Sequence, residues 1–287
     1  MPMNVCIYHA NCLDGMAAAF AVKMYYGDDV VLIPMSYGTP VLPEFDKNTR
    51  LILVDFSFKR DVMVELAPKV KEILVLDHHE SAERELVELP SNVFVKFDME
   101  RSGCRLAWEC FMLRHGPMPR IFEHIEDRDL WKFELEKTKE ICAALFSYPM
   151  DFVTWQHLIY GKKIEELILE GETLIRDRDK RIEAALDSGM VIREIASYEV
   201  PTINVSPDLV SEVGHKLCKG YPFAAMYYDT PDGRKVSLRS DENGINVAKI
   251  AEQFGGGGHE HAAGYPIPNP IIDLNPKLEE SPYEAVV

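Results

Sequence analysis

Residues 73–79, ILVLDHH, place an aspartate and two histidines directly after four large apolar residues. A short continuous apolar run is typical of a strand that is buried on both faces, as strands of parallel sheets are. In open parallel sheets, ligands bind beyond the carboxyl ends of the strands. Asp77, His78 and His79 are therefore candidate functional residues at such an edge.

Two earlier apolar runs also end in residue types that bind metal ions. Residues 4–8 precede His9, and residues 51–54 precede Asp55. A further run at 30–34 and predicted helices at 14–26 and 60–70 alternate with them, which indicates an α/β fold with a parallel sheet. A polar residue after one strand is common, but three at the same edge favour a metal site.

Aspartates elsewhere supply further candidate ligands. Asp14 precedes Gly15 at the start of the first predicted helix, where it could equally cap that helix. Asp127 is the last residue of another predicted helix and Asp129 lies just beyond it, so a solvated helix end explains both as well. Mixed histidine and aspartate ligands suit a divalent ion such as Mn²⁺, and two such ions bridged by Asp55 could clamp a phosphate.

The remaining sequence predicts further helices of the first domain, a long linking helix and a second, smaller domain. Helices are expected at 101–114, 119–127 and 151–160, followed by a long charged helix at 162–187. Strands at 191–195, 224–228 and 235–239 and helices at 207–219 and 246–254 come next. We predict an α/β protein with a parallel-sheet catalytic domain (1–160), a helical linker (161–190), a smaller α/β substrate-binding domain (191–275) and an acidic tail (276–287).

Charge and composition restrict the partners. The chain of 287 residues has 31 Lys and Arg against 47 Asp and Glu, a formal net charge of −16. Such a surface repels long nucleic acids, which are usually bound by basic stripes. No apolar run of membrane length appears and no signal peptide is expected, so the chain should not be bound to a membrane. Six scattered cysteines without a Cys-x-x-Cys pair fit a reducing compartment, and the cytoplasm is the expected location. Monomer and homodimer both stay open.

The order of these motifs resembles that of a known family. His9 and Asp14-Gly15, then Asp55, then Asp77-His78-His79, then Asp127 follow the four motifs of the DHH phosphoesterase superfamily. Ser102-Gly103 is similar to a small-residue turn of the same family. The segments GGGGH at 255–259 and AAG at 262–264 resemble the glycine-rich signature of the DHH-associated C-terminal domain, as carried by oligoribonuclease-like members. The resemblance spans residues 4–268.

The resemblance implies roles for these residues. Asp77, His78 and His79 would be catalytic, with Asp77 orienting a histidine and a metal-bound hydroxide attacking phosphorus. The cofactor would be Mn²⁺, as two ions, with Mg²⁺ or Co²⁺ as substitutes. The implied metal ligands are His9, Asp14, Asp55, His78 and Asp127. The implied substrate contacts are His79, Arg239, Ser240, Gly256, Gly257, Gly258 and His259.

One departure and two alternative functions remain. The family commonly has two aspartates after the first histidine, whereas this chain has only Asp14, so Asn11, Cys12 or water could complete that site. The expected activity is that of an exonuclease-type phosphodiesterase on nanoRNA, linear or cyclic dinucleotides, or 3′-phosphoadenosine phosphate. A phosphoanhydride hydrolase acting on polyphosphate or pyrophosphate is one alternative. A non-catalytic nucleotide-binding regulator with a degraded metal site is the other.

Overall fold

The computed structural model describes residues 4–37 and 44–268. Contacts divide the chain into two units, Met1–Ser188 with Gly257–Glu260, and Gly189–Gly256 with His261–Val287. The acidic tail predicted at 276–287 lies outside the described residues, as do residues 1–3, on which the expectation about a signal peptide partly rests. The predicted functional domain boundaries at 160 and 190 stay a prediction.

The first unit is built on a five-stranded parallel sheet with strand order β2-β1-β3-β4-β5. The predicted α/β class is confirmed. Four strands lie where the apolar runs predicted them, whereas β5 was missed because it is an edge strand with exposed Phe94 and Val95. The strands are β1 (Asn4–His9), β2 (Val30–Met35), β3 (Arg50–Val54), β4 (Glu72–Asp77) and β5 (Val93–Phe97).

Both faces of this sheet are covered because successive side chains of a strand point to opposite faces. Ile52 and Val54 enter one apolar cluster, which includes Phe20 of the first helix. Leu51 and Leu53 enter a second cluster with Met63. This double burial explains why the strand segments are continuously apolar rather than alternating.

Eight helices accompany the sheet within the described part of the first unit. The helix predicted at 101–114 instead divides into α4, a π-helical turn over Trp108–Met112 and a short 3₁₀ turn. Among the described helices of the whole chain, none is long and apolar enough to cross a membrane. The eight are α1 (Leu13–Tyr26), α2 (Arg60–Leu66), α3 (Glu80–Glu85), α4 (Gly103–Ala107), α5 (Arg120–Asp129), α6 (Thr138–Phe146), α7 (Phe152–Tyr160) and α8 (Ile164–Gly189).

The second unit contains a mixed sheet with the order β11-β9-β8-β7-β6. β7 and β8 are parallel, and the other neighbouring pairs are antiparallel. Helix α10 packs its Val247 and Ala251 against this sheet. Its elements are β6 (Val191–Ile195), β7 (Tyr198–Asn204), α9 (Val210–Leu217), β8 (Ala224–Thr230), β9 (Gly233–Arg239), α10 (Val247–Gln253) and β11 (Ala262–Pro268); the short strand β10 (Gly257–His259) belongs to the first unit.

Candidate metal centre

Strand register brings three predicted site residues to the same level of the sheet. Tyr8 pairs with Val54, and Val54 pairs with Leu76. The residues that follow these three are His9, Asp55 and Asp77, so their side chains start from one edge. The backbone of Asp55 has a φ of +50°, a left-handed conformation that aspartate tolerates better than most residues.

His78 lies at the centre of the site and is almost completely buried. Its Nε2 is 3.3 Å from Oδ1 of Asp55, 3.2 Å from Oδ2 of Asp129 and 3.7 Å from Oδ2 of Asp14. Three carboxylates therefore converge on one ring nitrogen. Buried like charges are costly unless a proton or a cation lies between them.

The protonation equilibria of this cluster reflect that excess of negative charge. Burial disfavours the charged imidazolium, yet the hydrogen bond to Asp55 and the charges of Asp129 and Asp14 raise the pKa of His78 to about 10. Burial, with the charges of Asp129 and Asp55 added, raises the pKa of Asp14 to about 8. The cluster thus holds protons that a divalent cation could replace.

Asp14 is fixed by the start of helix α4. Its carboxylate accepts hydrogen bonds from the backbone N–H groups of Gly103, at 2.6 Å, and Cys104, at 2.9 Å. A Cβ at Gly103 would lie 2.6 Å from Cβ of Asp55 and 2.7 Å from Oδ2 of Asp14. The glycine of Ser102-Gly103 is therefore required by this close approach.

Asp77 holds the ring of His79. Its Oδ1 is 2.6 Å from Nδ1 of His79 and accepts the backbone N–H of His78 at 2.8 Å. Because a carboxylate only accepts, Nδ1 of His79 carries the proton of this bond. Burial disfavours the charged ring, but the charge and hydrogen bond of Asp77 raise the pKa of His79 overall.

Asp127 and Asp129 occupy different environments, and here the structure differs from the expected ligand set. Asp127 accepts hydrogen bonds from the N–H groups of Glu134 and Leu135 and from the hydroxyl of Thr138. Its carboxylate is thus used to hold the loop after α5. Asp129, which the expected ligand set omitted, is the residue that faces His78.

The glycine-histidine segment divides between two roles. His259 stacks on His79 with ring centroids 4.5 Å apart, and its ring lies 4.8 Å from that of His78. The N–H of Gly258 donates to Oγ of Ser81 at 3.1 Å, so that amide is already engaged. Gly256 has a packing role, because a Cβ there would lie 2.0 Å from the carbonyl oxygen of Gly264.

The other two predicted substrate contacts lie in the second unit. Arg239 ends β9 and donates from Nη2 to Oγ of Ser211 at 3.1 Å. Oγ of Ser240 is 2.9 Å from Nδ1 of His261, and the N–H of Ser240 donates to the carbonyl oxygen of His261. Their assignment as substrate contacts stays a prediction, as does that of Gly257.

Sequence reasoning missed two residues beside the histidines. The ring of Tyr37 lies 5.4 Å from that of His9 and 5.8 Å from that of His79. Its position two residues after β2, at the same sheet edge, was a signal that could have found it. Ser81, in the first turn of α3, carries no such signal in the sequence because its partner Gly258 is 177 residues away.

The donor set fits divalent cations. Asp55 belongs to three groups whose potential ligand atoms lie within 4.8 Å of one another: His9 with Cys12, Asp14 with His78, and Asp77 with His79. Among the described residues, Oδ2 of Asp55 is a buried oxygen without a hydrogen-bond partner. A carboxylate shared between groups and left with a free buried oxygen suits a bridging ligand.

Comparisons with known proteins relate the chain to one domain family and to two proteins. The DHHA1 domain model matches residues 196–280. The chain is 28% identical to the uncharacterized protein R106 of Acanthamoeba polyphaga mimivirus over 91% of its own length and 67% of that protein. It is 23% identical to oligoribonuclease NrnB of Bacillus subtilis (strain 168), over 93% and 74% respectively.

The fold is also similar to a solved structure. RecJ from Thermus thermophilus, in complex with Mn²⁺, aligns with a TM-score of 0.50 and 14% identity over 93% of this chain and 50% of that one. The ordered motifs, the domain matched at residues 196–280 and the two relatives support a place in the DHH superfamily of phosphoesterases, and the RecJ alignment shows a shared fold.

Proposed function

We propose that this phosphoesterase is a divalent-metal-dependent phosphodiesterase that hydrolyses short oligonucleotides or dinucleotides. The convergence of Asp14, Asp55 and Asp129 on buried His78 carries the proposal, because such a cluster favours a bound divalent cation. The similarity to oligoribonuclease NrnB along 93% of the chain supports the substrate class.

The proposed ligands differ in one residue from those expected from the sequence. His9 and Asp55 would hold one ion, and Asp14, Asp55 and His78 would hold another, with Asp129 in place of Asp127. The bound ions would neutralise charge on the phosphate and activate water for hydrolysis. Mn²⁺ is the proposed ion for the carboxylate-rich group, in keeping with the metal bound by RecJ.

His79 is the proposed acid at the scissile phosphate. Asp77 fixes its Nδ1 and raises its pKa, which favours a charged ring that carries a second proton on Nε2. That proton could be donated to a phosphate oxygen or to the leaving oxygen. His259, stacked on the same ring, would restrict its orientation and contact the substrate phosphate.

Hydrolysis of a matched set of phosphates tests the proposal. Purified protein with Mn²⁺ is incubated with dinucleotides, trinucleotides, linear and cyclic diguanylate, 3′-phosphoadenosine phosphate, tripolyphosphate and pyrophosphate, and the products are separated by chromatography. We expect nucleoside monophosphates from the short linear oligomers. Removal of Mn²⁺ by a chelator should abolish turnover, and His79→Ala should lower kcat at least about 100-fold.

Three outcomes would contradict the proposal in different ways. Cleavage of tripolyphosphate or pyrophosphate without cleavage of any nucleotide would favour a phosphoanhydride hydrolase. Nucleotide binding without turnover in saturating Mn²⁺ would favour a regulator. Turnover unchanged by His79→Ala would remove that residue from the reaction while leaving the substrate class intact.

A further inference from the structure

Cys12 lies beside the first of the metal-ligand groups. A ring nitrogen of His9, Sγ of Cys12 and a carboxylate oxygen of Asp55 lie within 4.8 Å of one another. The cysteine is partly buried, two residues before Asp14. The first motif of the chain has a thiol at this point instead of a second carboxylate.

A separate feature points to a ligand in the same place. Asp55 is 2% exposed, and its Oδ2 has no hydrogen-bond partner among the residues that the structure describes. Nδ1 of His9 lies 3.6 Å from this Oδ2, which is beyond hydrogen-bond distance. A buried carboxylate oxygen without a donor is costly, and a bound cation would satisfy it.

The backbone fixes the thiol relative to the histidine. The chain leaves β1 at His9, turns through Asn11 with a φ of +55°, and enters α1 directly after Cys12. The N–H of Met16 donates to the carbonyl oxygen of Cys12 at 3.0 Å. A Cβ at Gly15 would lie 2.3 Å from the carbonyl oxygen of His9, so the helix start is packed tightly on that residue.

We propose that Sγ of Cys12 is a metal ligand that completes, with His9 and Asp55, the site at the end of β1. Binding of the ion releases the thiol proton to solvent, because thiolate is the ligating form. A sulfur donor favours Co²⁺, Zn²⁺ or Fe²⁺ over Mn²⁺ or Mg²⁺ at this position. The inference shares the metal centre of the proposed function but depends on no substrate.

Cobalt absorption tests the ligand directly. The full chain, kept reduced without added thiols, is titrated with Co²⁺ while near-ultraviolet sulfur-to-cobalt charge transfer is recorded. We expect this absorption in the wild type and in Cys110→Ser, whose cysteine is exposed and belongs to none of the metal-ligand groups. The absorption band should be lost in Cys12→Ser, and the Co²⁺ affinity of this variant should fall at least about tenfold. Absence of the band in the wild type, or its persistence in Cys12→Ser, would overturn the proposal.

A carboxylate at the same position provides the complementary variant. Cys12→Asp replaces a soft donor by a hard one and should raise the Mn²⁺ affinity relative to the Co²⁺ affinity at least about tenfold. Competition titrations of the two ions measure that ratio. An unchanged ratio would mean that residue 12 does not contact the ion.

The wild-type protein offers a readout that needs no folded variant. Alkylation of each thiol is followed by peptide mass spectrometry, with and without Zn²⁺ or Co²⁺. We expect the metal to slow modification of Cys12 at least about tenfold and to leave Cys110 unchanged. Equal rates at Cys12 with and without metal would reject the ligand. Because these measurements use no substrate, failure of the hydrolysis panel would reject the proposed function and leave the thiol ligand standing.

Discussion

At the scale of single residues, the two aspartates at the end of α5 have different roles. Asp127 ties down the loop and the start of α6, whereas Asp129 faces His78. Asp129 lies four residues after Ile125 on the same helix, but Asp127 is the more buried of the two aspartates, so helical spacing alone does not separate their roles. The family motif order alone could not distinguish two carboxylates that lie two positions apart.

Alanine substitutions at these two positions should therefore affect different properties, metal affinity in one case and folding stability in the other. Asp129→Ala removes a carboxylate from the cluster and should weaken Mn²⁺ binding about ten- to 100-fold with little change in melting temperature. Asp127→Ala leaves two amides and a hydroxyl without their acceptor and should cost about 3 kcal/mol of folding free energy. Calorimetric titration and thermal melting measure the two effects. If Asp127→Ala weakened Mn²⁺ binding and Asp129→Ala did not, Asp127 would be the ligand instead.

The protons held by the cluster predict how metal stabilisation varies with pH. The pKa of Asp14 rises from 3.8 to about 8, so this group contributes stability below pH 3.8 that is lost as the pH rises toward 8. The pKa of His78 rises from 6.5 to about 10, so its contribution is complete below pH 6.5 and is lost as the pH rises through 10.

A divalent ion takes the place of these protons, so its stabilising effect should increase with pH. We expect the rise in melting temperature caused by saturating Mn²⁺ to be larger at about pH 8.5 than at about pH 6. Thermal melting with and without the ion at both values is sufficient. The matched variant Asp14→Asn should reduce the pH dependence, and a metal-induced shift that falls with pH would contradict the assignment.

At the scale of elements, the strands that are buried on both faces were predictable, whereas the strands β5, β7 and β11 and the helices α3 and α6 were not. β1, β3 and β4 are buried on both faces, so each appears in the sequence as an apolar run with a polar end. α6 was missed because its residues follow a helix end and a charged loop without a strong repeat. The approach of α6 to α8 depends on Gly171, where a Cβ would lie 1.8 Å from the carbonyl oxygen of Glu140.

That approach makes a single methyl group costly. Gly171→Ala should force the two helices apart and lower the folding free energy by about 2–4 kcal/mol, despite the better helix propensity of alanine. Gly189→Ala, at the other end of α8, has no atom of the described residues within 4 Å of its added Cβ and should change stability by less than about 0.5 kcal/mol. Denaturant unfolding compares the two. Equal stabilities would mean that α6 and α8 pack less closely than described.

At the scale of the whole molecule, net charge should influence the length of substrate that is processed. A formal charge of −16 repels a polyanion more strongly as its number of phosphates increases. We expect KM at low ionic strength to rise from dinucleotides to longer strands, and added monovalent salt to reduce that difference. Steady-state kinetics on a length series tests this, with a dinucleotide as internal control. A KM that falls with strand length would indicate a basic track that the overall charge conceals.

The segment Gly257–Glu260 belongs to the first unit, although the residues on either side of it belong to the second. The imidazole stacked on His79 therefore belongs to His259, which lies 71 residues after Ser188, the point at which the chain leaves the first unit. Recombination between genes at residue 188 would separate that imidazole from its neighbours. The two units are consequently expected to be inherited and exchanged as one piece.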